Sequence, residues 1–300
     1  MQPLLFSMPG NERLVAQLLP LLPCEAGDMQ IHRFPDGESC PRLLTPVTAR
    51  DVVFACALDR PDEKIIALYF AACVARELGA RSVGLIIPYL PYMRQDARFA
   101  AGEGITSAHF ARIISSCCDW LVTVDPHLHR HHDLSDIYSI ASKVAHAAPA
   151  IASWIAHNVR QPIIIGPDAE SEQWAADVAG MVGCPYTVFQ KTRSGDRAVA
   201  MTTPDMSAWS GLTPVLMDDI VSTARTMIAA IAQLKSAGMP PPVCIAVHPL
   251  FTGDAYAALQ AAGVDRIVSC NTVEHASNRI DLCPPIALAV GDMLRQRSSA

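Results

Sequence analysis

Short apolar runs alternate with longer amphipathic stretches along most of this chain. The runs predict strands at Val52–Ala57, Ser82–Ile87, Trp120–Val124, Pro162–Ile165, Val215–Met217, Val243–Val247 and Arg266–Ser269. Apolar residues at helical spacing predict helices at Asp62–Leu78, Thr106–Cys117, Glu170–Met181, Thr223–Ala237 and Asp254–Ala262. Nearly continuous apolar strands separated by helices are typical of parallel sheets covered on both faces. The pattern therefore predicts an α/β fold that is doubly wound, with mainly parallel sheets.

A change in composition near residues 141–161 divides the pattern into two halves of similar build. An Ala-rich stretch containing Pro149 leads there into the strand that begins at Pro162. We therefore predict two similar domains, residues 1–147 and residues 148–300, which share a cleft at the carboxyl ends of their sheets. The last helix, predicted at residues 285–297, could pack back on the first domain.

Composition narrows the class of protein. The chain has 300 residues, 51% hydrophobic and 17% charged, which is enough to bury a large core. Its net charge of −6 argues against a nucleic-acid partner. The run Leu18–Leu22 is short and interrupted by Pro20, so we expect no signal peptide and no membrane span, and a cytoplasmic protein. The cysteines are scattered along the chain and form no Cys-x-x-Cys pair, so we expect them to be reduced residues of the core.

The segment Thr213–Gly238 carries the strongest chemical signal. Its apolar strand leads into Asp218 and Asp219, and a turn containing Ser222 and Thr223 precedes the predicted helix. Carboxylates at a strand end suit ribose hydroxyls, and amides at a helix N-terminus suit a phosphate group. The segment points to phosphoribosyl chemistry, although an ordinary strand followed by a capped helix would have a similar sequence.

Five motifs stand in a characteristic order: Phe34–Glu38, Pro88–Asp96, Asp125–His127, Gly166–Asp168 and Asp218–Thr223. In this order and spacing they resemble the ribose-phosphate diphosphokinases, which make phosphoribosyl pyrophosphate. The resemblance implies phosphoribosyltransferase-like domains and transfer of pyrophosphate from MgATP to O1 of ribose 5-phosphate, with AMP as the second product. It also implies Mg²⁺ as cofactor and a homo-oligomer, dimer-based or hexameric, with the ATP site at a subunit interface.

The resemblance assigns the site residues, with ATP on the side of the N-terminal domain and ribose 5-phosphate on the side of the C-terminal domain. The catalytic residues are Lys191 and Arg193, on the loop Gln190–Asp196. The ATP-binding residues are Phe34, Asp36, Glu38, Arg94, Gln95 and Asp96. The metal-associated residues are His127 and Asp168. The ribose-5-phosphate-binding residues are Asp218, Asp219, Ser222, Thr223, Ala224, Arg225 and Thr226.

Two positions depart from the family pattern. Arg225 stands where a small residue is usual, and it could either crowd the phosphate or contact it. Glu170 follows Asp168 closely, where a basic residue or His is common, and it could face solvent at a helix start. The neighbouring histidines, His129, His131 and His132, fit a solvated surface, with a transition-metal site as the alternative.

These departures leave two alternative functions open. One is a catalytically weak or silent relative that binds nucleotide or sugar phosphate and regulates partners. The other is a phosphoribosyltransferase, which shares the acidic segment but has no reason to carry the Phe34–Glu38 turn and the Arg94–Asp96 triplet.

Overall fold

Two parallel six-stranded sheets organise the chain. The computed structural model describes residues 1–194, 198–202 and 206–298, and their side chains except those of residues 170, 190–194, 198–202 and 298. The chain divides into a first unit, Met1–His146 with Cys283–Ala300, and a second unit, Ala147–Leu282. The predicted limits, 1–147 and 148–300, thus differ from these units in the last segment.

The strands of the first unit are β1 (Leu4–Ser7), β2 (Glu25–Gly27), β3 (Met29–Arg33), β4 (Ser39–Leu43), β5 (Asp51–Ala55), β6 (Ser82–Ile87), β7 (Trp120–Val124) and β8 (Ala141–Ala145). Those of the second unit are β9 (Pro162–Gly166), β10 (Tyr186–Val188), β11 (Gln190–Ser194), β12 (Ala198–Thr202), β13 (Thr213–Val221), β14 (Val243–Pro249), β15 (Arg266–Cys270) and β16 (Asn278–Ile280). The α-helices are α1 (Glu12–Leu18), α2 (Pro61–Glu77), α3 (Thr106–Cys117), α4 (Ala148–Asn158), α5 (Glu172–Val182), α6 (Arg225–Ser236), α7 (Ala255–Ala261) and α8 (Cys283–Ser298).

The two units repeat one topology. The first sheet has the order β2-β1-β5-β6-β7-β8, and the second has the order β10-β9-β13-β14-β15-β16. In both units an antiparallel hairpin, β3–β4 or β11–β12, follows the second strand of the sheet. All the pairings within the two sheets are parallel. The predicted α/β class, with two similar doubly wound domains, is confirmed.

Buried side chains on the central strands hold each sheet to its helices. Every residue of β5, β6 and β7 is buried, as expected for strands covered on both faces. Gly84 makes room for Trp120 on the next strand, because a Cβ at Gly84 would lie 2.0 Å from the Trp120 ring. The final helix α8 packs on α1, β7 and β8 within the first unit. No helix among the described residues combines the length and apolarity that a bilayer span requires.

Several predicted element boundaries were wrong. Strand β13 continues through Asp218 and Asp219 to Val221, because its pairing with β14 extends to Val221 and Pro249. Helix α6 accordingly begins at Arg225 and not at Thr223. A 3₁₀ turn over Ala169–Ser171 precedes α5, and Gln190–Ser194 is a hairpin strand where a loop was expected.

The sequence pattern missed several short elements, of which β1 is an interior strand and most others lie at sheet edges or in hairpins. They are β1, β2, β3, β4, β8, β10, β12, β16 and α1. Strand β8, Ala141–Ala145, lies in the Ala-rich stretch that was expected to be helical. Edge strands of three to five residues carry too few apolar positions for their period to be visible.

Candidate functional site

The acidic residues of the second unit lie at a topological switch point. Strand β9 has β10 on one side and β13 on the other, so the chain connections leave β9 and β13 in opposite directions. Asp168 follows the end of β9, and Asp218 and Asp219 lie near the end of β13. In open α/β sheets this crevice, beyond the carboxyl ends of the strands, is the usual place for a ligand.

Charge repulsion marks these carboxylates as a site for cations. Burial, followed by the neighbouring charges of Asp219 and Asp168, raises the pKa of the Asp218 carboxyl well above its ordinary value. The backbone N–H of Asp219 donates to Asp218 Oδ1 at 3.0 Å, and that of Ile220 donates to Asp219 Oδ1 at 2.7 Å. Carboxylate oxygens that repel one another are a donor set that suits Mg²⁺.

The described residues do not form a complete metal cage. No three His, Cys, Asp or Glu side chains among them are arranged to hold a metal ion together. Mg²⁺ is usually bound by one or two carboxylates, with water and substrate phosphates completing its shell. The arrangement therefore fits a Mg²⁺ ion that arrives with a phosphate ligand better than a permanent structural metal.

A compact turn holds Asp168 in place after β9. The hydroxyl of Ser171 donates to the carbonyl of Asp168 at 2.6 Å, and the N–H of Ser171 donates to the same carbonyl at 3.2 Å. Gly166 permits this turn, because a Cβ there would lie 2.2 Å from the Ser171 hydroxyl oxygen. Ser171 thus has a local structural explanation, whereas the side chain of Glu170 lies outside the described part of the chain.

The loop after β13 presents backbone amides at the start of α6. The helical ladder begins where Ile228 N–H donates to Ala224 O at 2.9 Å. The N–H groups of residues 223–227 have no acceptor within the part of the chain that the structure describes. Unsatisfied N–H groups at the positive end of a helix are a ready anion site.

The backbone strain in this loop falls on Ala224 and not on Arg225. Ala224 has φ +57°, a left-handed conformation that favours glycine, whereas Arg225 is the first residue of α6. The Arg225 side chain is exposed and has no partner among the described residues. The left-handed conformation thus falls at Ala224, and whether Arg225 crowds or contacts the phosphate stays a prediction.

In the first unit, the Phe34–Glu38 motif forms the turn of the β3–β4 hairpin. Phe34 N–H donates to Glu38 O at 2.8 Å, and Gly37 N–H donates to Phe34 O at 2.9 Å. Gly37 has φ +95°, which explains the glycine. The Phe34 ring is 44% exposed and packs edge-on against His32 with 4.5 Å between ring centroids. An exposed aromatic ring held at a hairpin tip is available for stacking on a ligand or a partner.

The Arg94–Asp96 triplet follows β6, and its members differ in environment. Arg94 and Gln95 are exposed, whereas Asp96 is buried and accepts a hydrogen bond from Arg130 Nη1 at 2.7 Å. The Arg130 guanidinium also lies over the Phe99 ring, 5.5 Å from its centroid. Asp96 therefore orients a cation that the sequence did not single out, and its predicted contact with base or ribose stays a prediction.

The histidine-rich segment lies at the carboxyl end of β7. The rings of His127 and His129 pack edge to face with 3.9 Å between centroids. Asp125, at φ +28°, accepts a hydrogen bond from His146 Nδ1 at 2.8 Å, which raises the pKa of His146. His131 is partly buried, and its Nε2 has no partner among the described residues. His127 belongs to the first unit and Asp168 to the second.

The structure therefore brings together only some of the predicted site residues. Asp168, Asp218 and Asp219 interact electrostatically in the second unit, where the Ser222–Thr226 loop follows the same strand. The side chains of Lys191 and Arg193 lie outside the described residues, although their backbone belongs to β11.

Comparison with known proteins gives this geometry a family. Residues 4–117 match the model of the N-terminal domain of ribose phosphate pyrophosphokinase, and residues 134–283 match the phosphoribosyl transferase domain model. A ribose-phosphate pyrophosphokinase from Methanopyrus kandleri is 30% identical over 94% of this chain and 96% of its own length. The chain belongs to the ribose-phosphate pyrophosphokinase family. A ribose-phosphate pyrophosphokinase from Halobacterium salinarum is 30% identical over 96% of this chain and 100% of its own length.

A solved structure supports the fold of this ribose-phosphate pyrophosphokinase family member. The crystal structure of phosphoribosylpyrophosphate synthetase from Mycobacterium smegmatis superimposes with a TM-score of 0.87, covering 98% of this chain and 100% of that chain. The sequence identity is 19%, so this likeness concerns the fold alone. The family that the five motifs resemble is confirmed, and the roles of individual site residues stay predictions.

Proposed function

We propose that this chain transfers pyrophosphate from MgATP to O1 of ribose 5-phosphate and releases phosphoribosyl pyrophosphate and AMP. One observation carries the proposal: at the switch point of the second sheet, the neighbouring carboxylates of Asp168, Asp218 and Asp219 lie close to the end of β13, and the loop after β13 presents helix-start amides that have no acceptor among the described residues. This combination suits a ligand with hydroxyls at one end and a phosphate at the other. The chain acts in the cytoplasm in this proposal, with no nucleic-acid partner.

The second unit binds the sugar phosphate. Asp218 and Asp219 accept hydrogen bonds from ribose hydroxyls, directly or through metal-bound water. Residues Ser222–Thr226 hold the 5-phosphate with their amides and hydroxyls. Arg225 supports this assignment, because a cation at the positive end of a helix is unfavourable until an anion arrives there.

The first unit binds the nucleotide. Arg94 steadies phosphate charge, and Gln95 and Asp96 hold the base or ribose, with Asp96 also orienting Arg130. The exposed Phe34 ring stacks on adenine, and Asp36 and Glu38 accept hydrogen bonds from its amino group. We infer that a neighbouring subunit supplies this hairpin, so the active form is a homo-oligomer, dimer-based or hexameric.

The donor set fits Mg²⁺, because carboxylate oxygens are its preferred protein ligands and those of the second unit repel one another. His127 and Asp168 are the residues that would hold it. When bound, Mg²⁺ neutralises phosphate charge and polarises the phosphorus that is attacked.

The transfer itself requires positioning and charge stabilisation. The O1 hydroxyl of the ribose gives its proton to solvent and forms a bond to the β-phosphorus. The bond from that phosphorus to the oxygen shared with the α-phosphorus breaks, so that AMP leaves with the shared oxygen. Lys191 and Arg193 stabilise the charge that spreads over the phosphoryl oxygens as these bonds exchange. Holding both substrates in line removes much of the entropic barrier.

The direct test is an assay of the purified chain with MgATP and ribose 5-phosphate, in which AMP and phosphoribosyl pyrophosphate are quantified. We expect equal amounts of both products and no product with EDTA present. The variant Lys191→Ala should fold normally and lose about 10²–10³-fold in turnover, which assigns the activity to this chain and not to a contaminant.

Three outcomes would contradict the proposal. Binding of ribose 5-phosphate without AMP formation would identify a silent relative. Consumption of phosphoribosyl pyrophosphate in the presence of a nucleobase would identify a phosphoribosyltransferase. Unchanged turnover of Lys191→Ala would remove the β11–β12 hairpin from the mechanism.

A further inference from the structure

A short segment after β14, Leu250–Thr252, contacts the end of β13 and the start of the proposed phosphate loop. The N–H groups of Leu250 and Phe251 both donate to the carbonyl of Val221 at 3.0 Å, and the N–H of Thr252 donates to the carbonyl of Ser222 at 3.0 Å. The hydroxyls of Ser222 and Thr252 also lie 3.4 Å apart. These bonds fix the orientation of the peptide groups that lead into the loop.

This segment is itself held in a strained backbone conformation. Phe251 has φ +36°, which a residue with a side chain rarely adopts and which persists only where surrounding contacts enforce it. Its side chain is buried in the core cluster that also contains Val221 and Ala224. The conformation directs two consecutive N–H groups, those of Leu250 and Phe251, at one carbonyl.

Three rings enforce that conformation. The Phe251 ring lies 5.2 Å from the ring of Tyr256 and 4.7 Å from that of His275, and the last two are 4.7 Å apart. Each ring therefore contacts both of the others, in tilted or edge-on geometries that aromatic pairs prefer. We call Phe251, Tyr256 and His275 the ring cluster.

Strand β16 and the turn before it anchor the ring cluster. His275 Nδ1 accepts from Ser277 N–H at 3.1 Å and lies 2.8 Å from the Ser277 hydroxyl, and His275 N–H donates to Asn278 Oδ1 at 2.9 Å. The Ser277 hydroxyl in turn lies 2.7 Å from that of Ser269 on β15. The ring cluster thus ties the phosphate loop to the two strands at the far edge of the second sheet.

We propose that the ring cluster positions the loop that binds the 5-phosphate of the sugar, an inference that rests on the proposed function. None of its members is among the residues assigned to a substrate, and they act through the amides of Leu250–Thr252 on the carbonyls of Val221 and Ser222. Backbone amides bind phosphate well only in one orientation, so a small rotation of this loop weakens binding. The residues assigned to ATP all lie in the first unit, so ATP binding does not depend on the cluster.

The test replaces a ring with an aliphatic side chain that keeps part of the apolar bulk. Phe251→Leu and Tyr256→Leu should each raise KM for ribose 5-phosphate about tenfold, since misplaced binding groups lose affinity steeply, and should leave KM for ATP unchanged. Tyr256→Phe keeps the ring and should behave as the unchanged protein. Leu259→Ala is the control for loss of core packing, because Leu259 is fully buried in the same core but is not one of the three rings.

A second measurement tests, without any substrate, whether the ring cluster holds the Leu250–Thr252 segment in place. Hydrogen exchange at the amides of Leu250, Phe251 and Thr252 should be about tenfold faster in Tyr256→Leu than in Leu259→Ala. Breaking the bonds of these amides to the Val221 and Ser222 carbonyls exposes them to solvent. Equal increases in both KM values, or exchange no faster than in Leu259→Ala, would overturn the proposal. If the unaltered protein forms no AMP, the proposed function fails. The exchange comparison still shows whether the ring cluster holds the Leu250–Thr252 segment in place.

Discussion

The two units share one strand order but use its switch point differently. In the first unit the crevice between β1 and β5 is filled by Asn11, which is 3% exposed. Its Oδ1 accepts from Ala57 N–H at 2.7 Å, and its Nδ2 donates to Met8 O at 3.3 Å and to Pro9 O at 3.2 Å. In the second unit the matching crevice, between β9 and β13, contains carboxylates that repel one another.

The comparison shows that topology offers a site but does not determine whether a ligand uses it. In the first unit the polar groups of Asn11 and the N–H of Ala57 at the switch point are paired with one another or with neighbouring carbonyls. In the second unit, the carboxylates of Asp168, Asp218 and Asp219 share the switch point, and the amides at the start of α6 have no acceptor among the described residues. The ligand residues predicted in the first unit lie elsewhere: in the turn between β3 and β4, after β6, and after β7, which Asp125 and His127 follow.

The largest effect should come from removing a carboxylate at the second switch point. Asp219→Ala should raise KM for ribose 5-phosphate about 10–100-fold, because a hydrogen bond to a charged group contributes about 1.5–3 kcal/mol. KM for ATP should change little in steady-state measurements. Asp59→Ala is the matched control at the first switch point, where Asp59 pairs with Lys64, and it should leave both constants unchanged. Equal losses for both substrates would contradict the role of Asp219.

Removing the bridge at the first switch point should affect stability and not kinetics. Asn11→Ala leaves the buried N–H of Ala57 without its acceptor, so the free energy of unfolding should fall by about 1–3 kcal/mol in urea titrations. The kinetic constants should not change. Asn158→Ala, which removes an exposed side-chain bond to Trp154 O, is the control and should cost little. A kinetic defect in Asn11→Ala would show that this crevice also serves a ligand.

The amino ends of the strands in the first sheet, opposite the switch point, offer a test of how stability depends on pH. A hydrogen bond from Arg81, assisted by Ser82 and opposed by burial, lowers the pKa of the Asp51 carboxyl. A lowered folded-state pKa adds stability above the unfolded value, and that stability is lost as the pH falls through the folded value. Asp51→Asn should therefore destabilise by about 1 kcal/mol near neutral pH, since the guanidinium is half exposed.

The difference between the two proteins should begin to shrink below about pH 4, where the Asp51 carboxyl becomes protonated in the unfolded chain. It should disappear as the pH falls through the lower folded-state pKa, where the folded protein also takes up the proton. Thermal denaturation across pH measures this. Thr213 occupies the corresponding strand start in the second unit and donates to Arg160 O at 2.8 Å, so Thr213→Val is a control without a titrating group. A difference that persisted unchanged at low pH would exclude the Asp51 charge as its source.

The smallest effect concerns the start of α6. Arg225→Gly should lower the affinity for ribose 5-phosphate about threefold, because an exposed cation beside a phosphate contributes less than about 1 kcal/mol to binding. Higher activity would instead mark Arg225 as an obstruction. Ala224→Gly distinguishes the effect of backbone strain from that of the Arg225 side chain. It should relieve the left-handed strain at φ +57° and raise the midpoint of thermal unfolding without lowering the affinity for ribose 5-phosphate.

Sequence patterns located the central strands of both sheets, because strands buried on both faces are apolar by local necessity. The predicted strands Ser82–Ile87 and Trp120–Val124 coincide with β6 and β7. Patterns failed at the short edge strands, and they ended β13 too early, because acidic residues inside a strand look like its end. Pairing with β14 keeps Asp218 and Asp219 in the strand, and no local sequence reports that pairing.

The sequence by itself determined the fold class, the family and the segments that carry the chemistry, since these depend on residue type and spacing. Only the tertiary structure decided which polar groups satisfy one another: Asn11 with Ala57, Asp96 with Arg130, and Val221 with the amides after β14. Satisfaction of a polar group depends on partners distant in the chain. A site exists where the folded protein leaves such groups uncompensated, and that is a property of the fold.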